Sequence, residues 1–281
     1  MGCLSGRAVL VTGAGRGLGR AYALHAARSG AAVAVNDVDA AAAERVAERI
    51  RELGGEGTAA PGSVADPAAA AGLVDQCVAR FGAIDGLVNN AGLFHRAEPW
   101  REDHARIRAL VEVNVLGTVH CGLAAITWMR EHRRSGSIVN VTSGTHLGHP
   151  ATAVYGATKG AVASLTYGWA LDLADEGIRV NALSPLAVTD MKLPPYDGHA
   201  TPEQVAAVAT FLLSDAAAGI TGQVVRRARR GLGLLAHPAI GDMVEADSWE
   251  LPDIDRAFRE TLGPLEPIGY GDHKVCPDGP R

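Results

Sequence analysis

Two groups of residues have the types and spacing to do chemistry. Tyr155 and Lys159 stand four apart in Tyr155-Gly156-Ala157-Thr158-Lys159, at the start of a helical pattern, so a phenol and an ammonium share one helix face. Such a pair is common on helix surfaces and gains meaning from its surroundings. Ser143 ends an apolar run just before it, Asn114 sits in Val113-Asn114-Val115, and Asn89-Asn90-Ala91-Gly92 closes another run. The second group is Thr12-Gly13-Ala14-Gly15-Arg16-Gly17-Leu18-Gly19, with glycines spaced G-x-x-x-G-x-G. Glycine permits positive φ and close approach of backbone to a ligand, and the helix that follows offers free N–H groups to a pyrophosphate. The placement of this turn between a first strand and a first helix points to dinucleotide binding. Asp37 ends the second apolar run, where a carboxylate reaches the adenosine ribose hydroxyls. A 2′-phosphate there would meet a like charge, so NAD is expected over NADP, with Arg16 pulling the other way.

The elements that must position these groups are legible as alternating patterns. Short apolar runs at 7–12, 31–36, 86–89 and 137–142 read as buried parallel strands. Between them, 18–29, 40–53, 66–81 and 103–131 repeat apolar residues three or four apart, as helices covering a sheet do. A helix at 155–175, a strand at 179–183, a helix at 202–213 capped by Thr201 and a last strand at 222–226 complete the pattern. The expected fold is α/β, a doubly wound parallel sheet of Rossmann type in one domain over residues 1–233. Residues 234–281 form a C-terminal extension punctuated by Pro238, Pro252, Pro264, Pro267, Pro277 and Pro280, with one short helix at 253–262.

Composition narrows the function classes. The chain has 281 residues, 47% of them hydrophobic, enough for a sizeable core and against disorder. With 26 Lys+Arg against 31 Asp+Glu the formal charge is −5, so no global basic field exists to hold nucleic acid or an acidic membrane. No basic leader followed by an apolar run and no uninterrupted apolar window of spanning length is visible, so no membrane association is expected. Cys3, Cys77, Cys121 and Cys276 are scattered, without zinc or disulfide spacing, which fits reduced thiols and a cytoplasmic location. No metal site is expected.

The glycine turn, the Asn-Asn-Ala-Gly segment, Ser143, the Tyr-x-x-x-Lys pair and Arg179-Val180-Asn181 occur in the order of the short-chain dehydrogenase/reductase family, which the chain resembles over residues 4–226. The resemblance implies an oxidoreductase that moves hydride between a nicotinamide and a secondary alcohol or ketone. It assigns Tyr155 as general acid/base and Ser143 as the group polarising the substrate oxygen. Lys159 would bind the nicotinamide ribose and acidify the tyrosine, and Asn114 would hold a water in the proton relay. Gly13, Arg16, Gly17, Leu18, Gly19, Asp37, Ser63, Val64, Asn90, Ala91, Gly92, Pro185 and Thr189 would contact the cofactor along with Tyr155 and Lys159. Ser143 precedes Tyr155 by 12 positions, one fewer than the family's usual spacing, and Thr142 occupies the thirteenth. Ser63 stands where the family often has Asp, Leu186 replaces a usual Gly, and Thr189 comes one position early. The segments 19–24, 35–37 and 220–224 look like the dehydrogenase unit of the peroxisomal multifunctional β-oxidation enzyme and its single-domain bacterial relatives. A 3-hydroxyacyl-CoA or a hydroxysteroid is the substrate class that follows. The family also implies a homodimer or homotetramer built on 103–131 and 155–175, burying Leu165 or Trp169.

The energetics agree in scale. A tyrosine of pKa near 10 working near neutrality needs about 4 kcal/mol of phenolate stabilisation, and an ammonium about 4 Å away at an effective dielectric of about 20 supplies that much. His95 and His146 fall in loops near the substrate mouth and are candidate substrate contacts. Arg226, Arg227, Arg229 and Arg230 read as a solvated or interfacial cluster, or as an anchor for an anionic substrate. The short stretch between Pro185 and Thr201 leaves little room for a lid, so the extension either covers the cleft or packs elsewhere. Two other functions keep most of these residues. A dehydratase or epimerase using transient oxidation needs all of them, and a non-catalytic dinucleotide sensor needs only the glycine turn and Asp37.

Overall fold

The computed structural model describes residues 2–187, 199–241, 243–246, 248–262 and 268–269. Eight strands form one sheet, β1 Ala8–Val11, β2 Ala32–Val35, β3 Glu56–Ala59, β4 Gly86–Asn89, β5 Gly136–Val141, β6 Ile178–Pro185, β7 Val224–Arg227 and β8 Leu232–Leu234, in the order β3-β2-β1-β4-β5-β6-β7-β8. All neighbours are parallel except β7 and β8. The chain leaves β1 for β2 on one side and returns to β4 on the other. The C-terminal ends of β1 and β4 therefore flank a switch point, the place where doubly wound sheets bind ligands.

Strand residues alternate between two apolar layers. Val9 and Val11 face α1 Gly17–Arg28, α2 Ala40–Glu52 and α7 Pro202–Leu213, whereas Ala8 and Leu10 face α3 Pro67–Phe81, α5 Gly117–Glu131 and α6 Ala153–Asp172. The helix starts follow local chemistry. Asp39 and Asp66 accept from the third residue beyond them, and Thr201 with Gln204 closes a capping box behind Pro202. The pattern at 103–131 is one helical run in three parts: α4 His104–Leu110, a π turn Val111–Leu116, and α5. This run, His104–Glu131, is long and apolar enough to cross a membrane by length and composition, yet Leu110, Cys121, Ala125 and Met129 are buried within the fold.

Two strands have no counterpart in the hydrophobic pattern. β3, with the sequence Glu-Gly-Thr-Ala, is held by its register with β2, Ala32 opposite Glu56, and pairs through backbone that any residue supplies. β8 pairs antiparallel to β7 and straddles the 233/234 boundary, tying the start of the extension to the sheet. Beyond it, Leu235 packs with Tyr167 of α6 against the buried cluster of Ala163, Ala182 and Val224, and the His237 ring lies 4.7 Å from that of Tyr167. The extension's helix, α8 Leu251–Glu260, buries only Ala257, leaving Leu251 82% exposed. Further on, Gly269 lies against Gly148, so the extension reaches the loop that follows Ser143.

Candidate active site

The cofactor end is built from backbone. Gly13 has φ +60°, and a Cβ there would stand 2.8 Å from the Cα of Ala91; a Cβ on Gly19 would stand 2.2 Å from the Gly13 carbonyl oxygen. Asn90 fixes the turn from the side, its Nδ2 donating to the carbonyls of Thr12 (2.9 Å) and Gly13 (3.0 Å), while the amides of Asn90 and Ala91 donate to Thr12 Oγ1. Unlike α2 and α3, α1 begins with a residue, Arg16, whose side chain caps nothing. An uncapped helix start behind close-packed glycines fits a pyrophosphate.

Asp37 stands beside the turn. Its Oδ2 accepts from Gly15 N at 3.0 Å, and a Cβ on Gly15 would lie 2.8 Å from that same oxygen. Gly15 lies outside the G-x-x-x-G-x-G spacing, and its only signal in the sequence is that it is a fourth glycine in the turn. Ser63 Oγ accepts from Ala65 N, and Val64 is buried against Gly117 at the start of α5.

The reacting end is built from side chains on β5, the π turn and α6. Lys159 is buried, and its Nζ donates to Val141 O at 2.8 Å and lies 5.9 Å from the centroid of the Tyr155 ring. Burial pulls this ammonium down from the usual lysine range to about 8. Asn114 is fully buried in the π turn and clamps Leu93 in both directions, accepting from Leu93 N at 2.7 Å and donating to Leu93 O at 3.0 Å. Its Nδ2 also donates to Thr158 Oγ1. Gly92 is the small residue between them, since a Cβ there would stand 3.3 Å from Asn114 Oδ1 and 3.5 Å from Lys159 Nζ.

Thr142 and Ser143 separate by what their hydroxyls hold. The Thr142 hydroxyl is buried and donates to Lys159 O at 2.7 Å, tying α6 to β5. Ser143 Oγ accepts from Thr145 N and Thr145 Oγ1, an arrangement that keeps the Ser143 proton for donation. Ser143, Tyr155 and Lys159 line one cleft with Leu18, Asn90, Gly92 and Pro185. Leu93, Phe94 and His199 also line it and carry no marking motif; Leu186, at the position of a usual Gly, and Arg226, from the basic cluster, line it too, and all five converge because the ends of β4, β6 and β7 open there. Arg226 donates to Ser184 Oγ at 2.9 Å.

His95 and His146 are not among the cleft's lining residues. His146 Nδ1 is in a hydrogen bond with Ser143 O, and His95 sits between Arg106 and Glu102. The loop folds Glu102, seven residues further along the chain, back onto His95. Thr189 lies outside the described residues.

A phosphate-fitting turn at the switch point, followed by a buried Tyr–Lys pair in the same cleft, defines a Rossmann-type dinucleotide-dependent oxidoreductase. Residues 7–194 match the short chain dehydrogenase family, and the chain belongs to it. It acts on alcohol- or ketone-type substrates with a nicotinamide dinucleotide, as members of that family do. A cis-4-hydroxycyclohexanecarboxylate dehydrogenase of Sinomonas cyclohexanicum is 36% identical over 236 residues, covering 78% of this chain and 94% of the relative. A short chain dehydrogenase structure from Mycobacterium avium aligns with TM-score 0.88 and 31% identity over 95% of this chain and 98% of that one, so the likeness takes in most of the extension. A gluconate 5-dehydrogenase from Burkholderia cenocepacia, in complex with NADP and tartrate, aligns with TM-score 0.76 and 33% identity over 80% and 95% of the two chains.

Proposed function

We propose that this protein is an NAD-dependent dehydrogenase/reductase that interconverts a secondary alcohol and a ketone, with Tyr155 as the acid/base. The observation that carries the reading is the buried Lys159 ammonium beside Tyr155 in a cleft that also contains Ser143. Nζ lies 5.9 Å from the centre of the Tyr155 ring, and at an effective dielectric of about 20 two unit charges separated by about that much attract by roughly 3 kcal/mol, the scale of what a tyrosine working near neutrality needs. The bound dinucleotide supplies the hydride acceptor or donor. Tyr155 takes the alcohol proton, Ser143 donates to the developing carbonyl oxygen, and Lys159 holds the charge that favours the phenolate. Asn114 has its side chain committed to Leu93 and Thr158, and its carbonyl accepts from Thr118 Oγ1 at 2.9 Å, so a water held there for a proton relay would share that carbonyl with Thr118. Leu93, Phe94 and Leu186 supply apolar walls that exclude water from the reacting atoms.

Asp37 beside Gly15 supports NAD as the cofactor. The bulky class of 3-hydroxyacyl-CoA or hydroxysteroid rests on the three segments resembling the β-oxidation dehydrogenase unit, and hydroxylated acids enter through the relatives. Exposed Leu116, Leu123 and Leu171 on the π turn, α5 and α6 support a homodimer or homotetramer on that side. Trp169 packs on Gly122 of α5 within the chain, leaving Leu165 as the half-buried contact on α6.

The test is NADH formation, in stoichiometry with ketone product, over a panel of 3-hydroxyacyl-CoA thioesters, hydroxysteroids and cis-4-hydroxycyclohexanecarboxylate. Tyr155→Phe is expected to lower turnover by about three orders of magnitude with NADH binding retained. Asp37→Ala is expected to narrow the NAD/NADP preference by about tenfold. Turnover surviving in Tyr155→Phe, product without NADH, or NADP bound more tightly by the native chain would each overturn its part of the reading.

A further inference from the structure

The loop after Gly92 is pinned at several points around Tyr155. Asn114 clamps Leu93, and the Phe94 ring meets that of Tyr155 edge-on, centroids 4.9 Å apart and planes at 82°. Ala97 N donates at 3.0 Å to the carbonyl of Ala151, a non-glycine residue held at φ +55° on the loop that leads into α6. Strained backbone of this kind persists only where its surroundings hold it. Between Phe94 and Ala97 lies His95, whose environment is specific. Arg106 Nη1 lies 3.3 Å from His95 Nδ1, and because a guanidinium only donates, Nδ1 is the acceptor and the ring proton sits on Nε2. That Nε2 faces Glu102 Oε2 at 3.5 Å, both side chains mostly buried (14% and 11% exposed), and neither atom has a hydrogen bond. Asp103 accepts from Arg106 N at 2.8 Å, fixing the first turn of α4 that presents the arginine. A donor and a carboxylate oxygen buried face to face, with neither bonded elsewhere, are natural partners, because a buried polar group left unpaired is costly.

Resting on the assignment of Tyr155 as acid/base, we infer that His95, bridging Arg106 and Glu102, is a positioning residue that holds Phe94 against the Tyr155 ring. Its substrate-mouth location then serves the tyrosine's orientation and not a contact with substrate.

The full-length enzyme with NAD, turning over the best alcohol of the panel above, is compared with His95→Ala, Glu102→Ala, the double variant and His95→Gln. Glutamine carries a donor and an acceptor at its end and is long enough to reach Glu102. Either alanine is expected to lower kcat about tenfold with the KM changed less than about threefold and NADH affinity unchanged, and to speed amide exchange at Ala97 by about tenfold. The double variant is expected to match the singles, as partners in one contact do, and His95→Gln to recover most of kcat. Additive losses, a change confined to KM, or unaltered exchange at Ala97 would overturn the inference. If the alanine variants do not fold, His95→Asn, too short to reach Glu102, is compared with His95→Gln on the same readouts. The Tyr155→Phe control separates the failures: activity in that variant sinks the acid/base reading, whereas the exchange data still judge the brace.

Discussion

The glycine turn and the Tyr155 wall face each other across one cleft and are held by opposite means. At the turn, function resides in backbone: Gly13, Gly15 and Gly19 are packed so closely that no Cβ fits, and Asn90 and Asp37 bond main-chain atoms. At the wall, function resides in side chains whose polar atoms are largely spent on holding each other, Thr142 on Lys159, Lys159 on Val141, Asn114 on Leu93 and Thr158. The turn therefore has no room for an added atom at Gly13, Gly15 or Gly19, whatever side chains stand outside it. The wall keeps its shape through neighbours and exposes few groups to substrate, so adjacent residues there are expected to have unlike effects when changed.

The sharpest break of that wall is between Thr142 and Ser143. Ser143→Ala removes a donor aimed at developing charge and is expected to lower kcat by two to three orders of magnitude, roughly 3 to 4 kcal/mol, with little change in Tm. Thr142→Val removes the bond to Lys159 O, a carbonyl that keeps its place in the α6 ladder, which costs about 1 kcal/mol of stability and a smaller part of kcat. Steady-state kinetics and thermal unfolding of both variants check the contrast. The reverse pattern would move the polarising role to Thr142, the residue at the family's usual spacing.

This division also explains what could be read in the sequence. The doubly wound sheet was legible because parallel central strands are apolar on both faces, and 86–89 and 202–213 coincide with β4 and α7. β3 escaped because an edge strand needs only backbone, and the π turn because apolar periodicity over 103–131 is nearly the same in one continuous helix. Among site residues, Tyr155, Lys159 and the glycine turn announce themselves by spacing. Glu102 beside His95, and Arg226 beside Ser184, do not, because each contact joins segments whose approach is set by the fold.

A second prediction concerns the charge buried in the wall. Burial holds folded Lys159 near 8, whereas an unfolded lysine keeps its proton to about 10.5. Below pH 8 both states carry the proton and the penalty of the buried charge is constant. Between pH 8 and about 10.5 the unfolded chain binds more protons than the folded one, so unfolding free energy rises with pH, by at most about 3 kcal/mol. The Cys77 and Cys121 thiols, pushed up to about 12 by burial, act oppositely from about pH 9. Both are present in Lys159→Met, so the difference between native and variant denaturation curves isolates the lysine. That difference should grow in favour of the native chain from pH 8 to 10.5; a flat difference would mean that the ammonium is not desolvated in the fold.

At the turn, two glycines two residues apart separate its two requirements. At Gly19 a Cβ would meet the Gly13 carbonyl at 2.2 Å and Asn90 Nδ2 at 2.5 Å, so Gly19→Ala must push main chain out of the phosphate cradle. Overpacking against backbone costs about 2 to 3 kcal/mol, and it should weaken NADH binding as well. At Gly17 the φ is +54° and nothing lies within 4 Å of a Cβ, so Gly17→Ala meets only conformational strain, about 1 kcal/mol. Thermal unfolding with and without NADH distinguishes them: Gly19→Ala should lose most of the stabilisation that NADH confers, while Gly17→Ala should lower Tm slightly and keep it. If Gly19→Ala binds NADH as the native chain does, the close approach of backbone in this turn serves packing of α1 on the sheet and not the pyrophosphate.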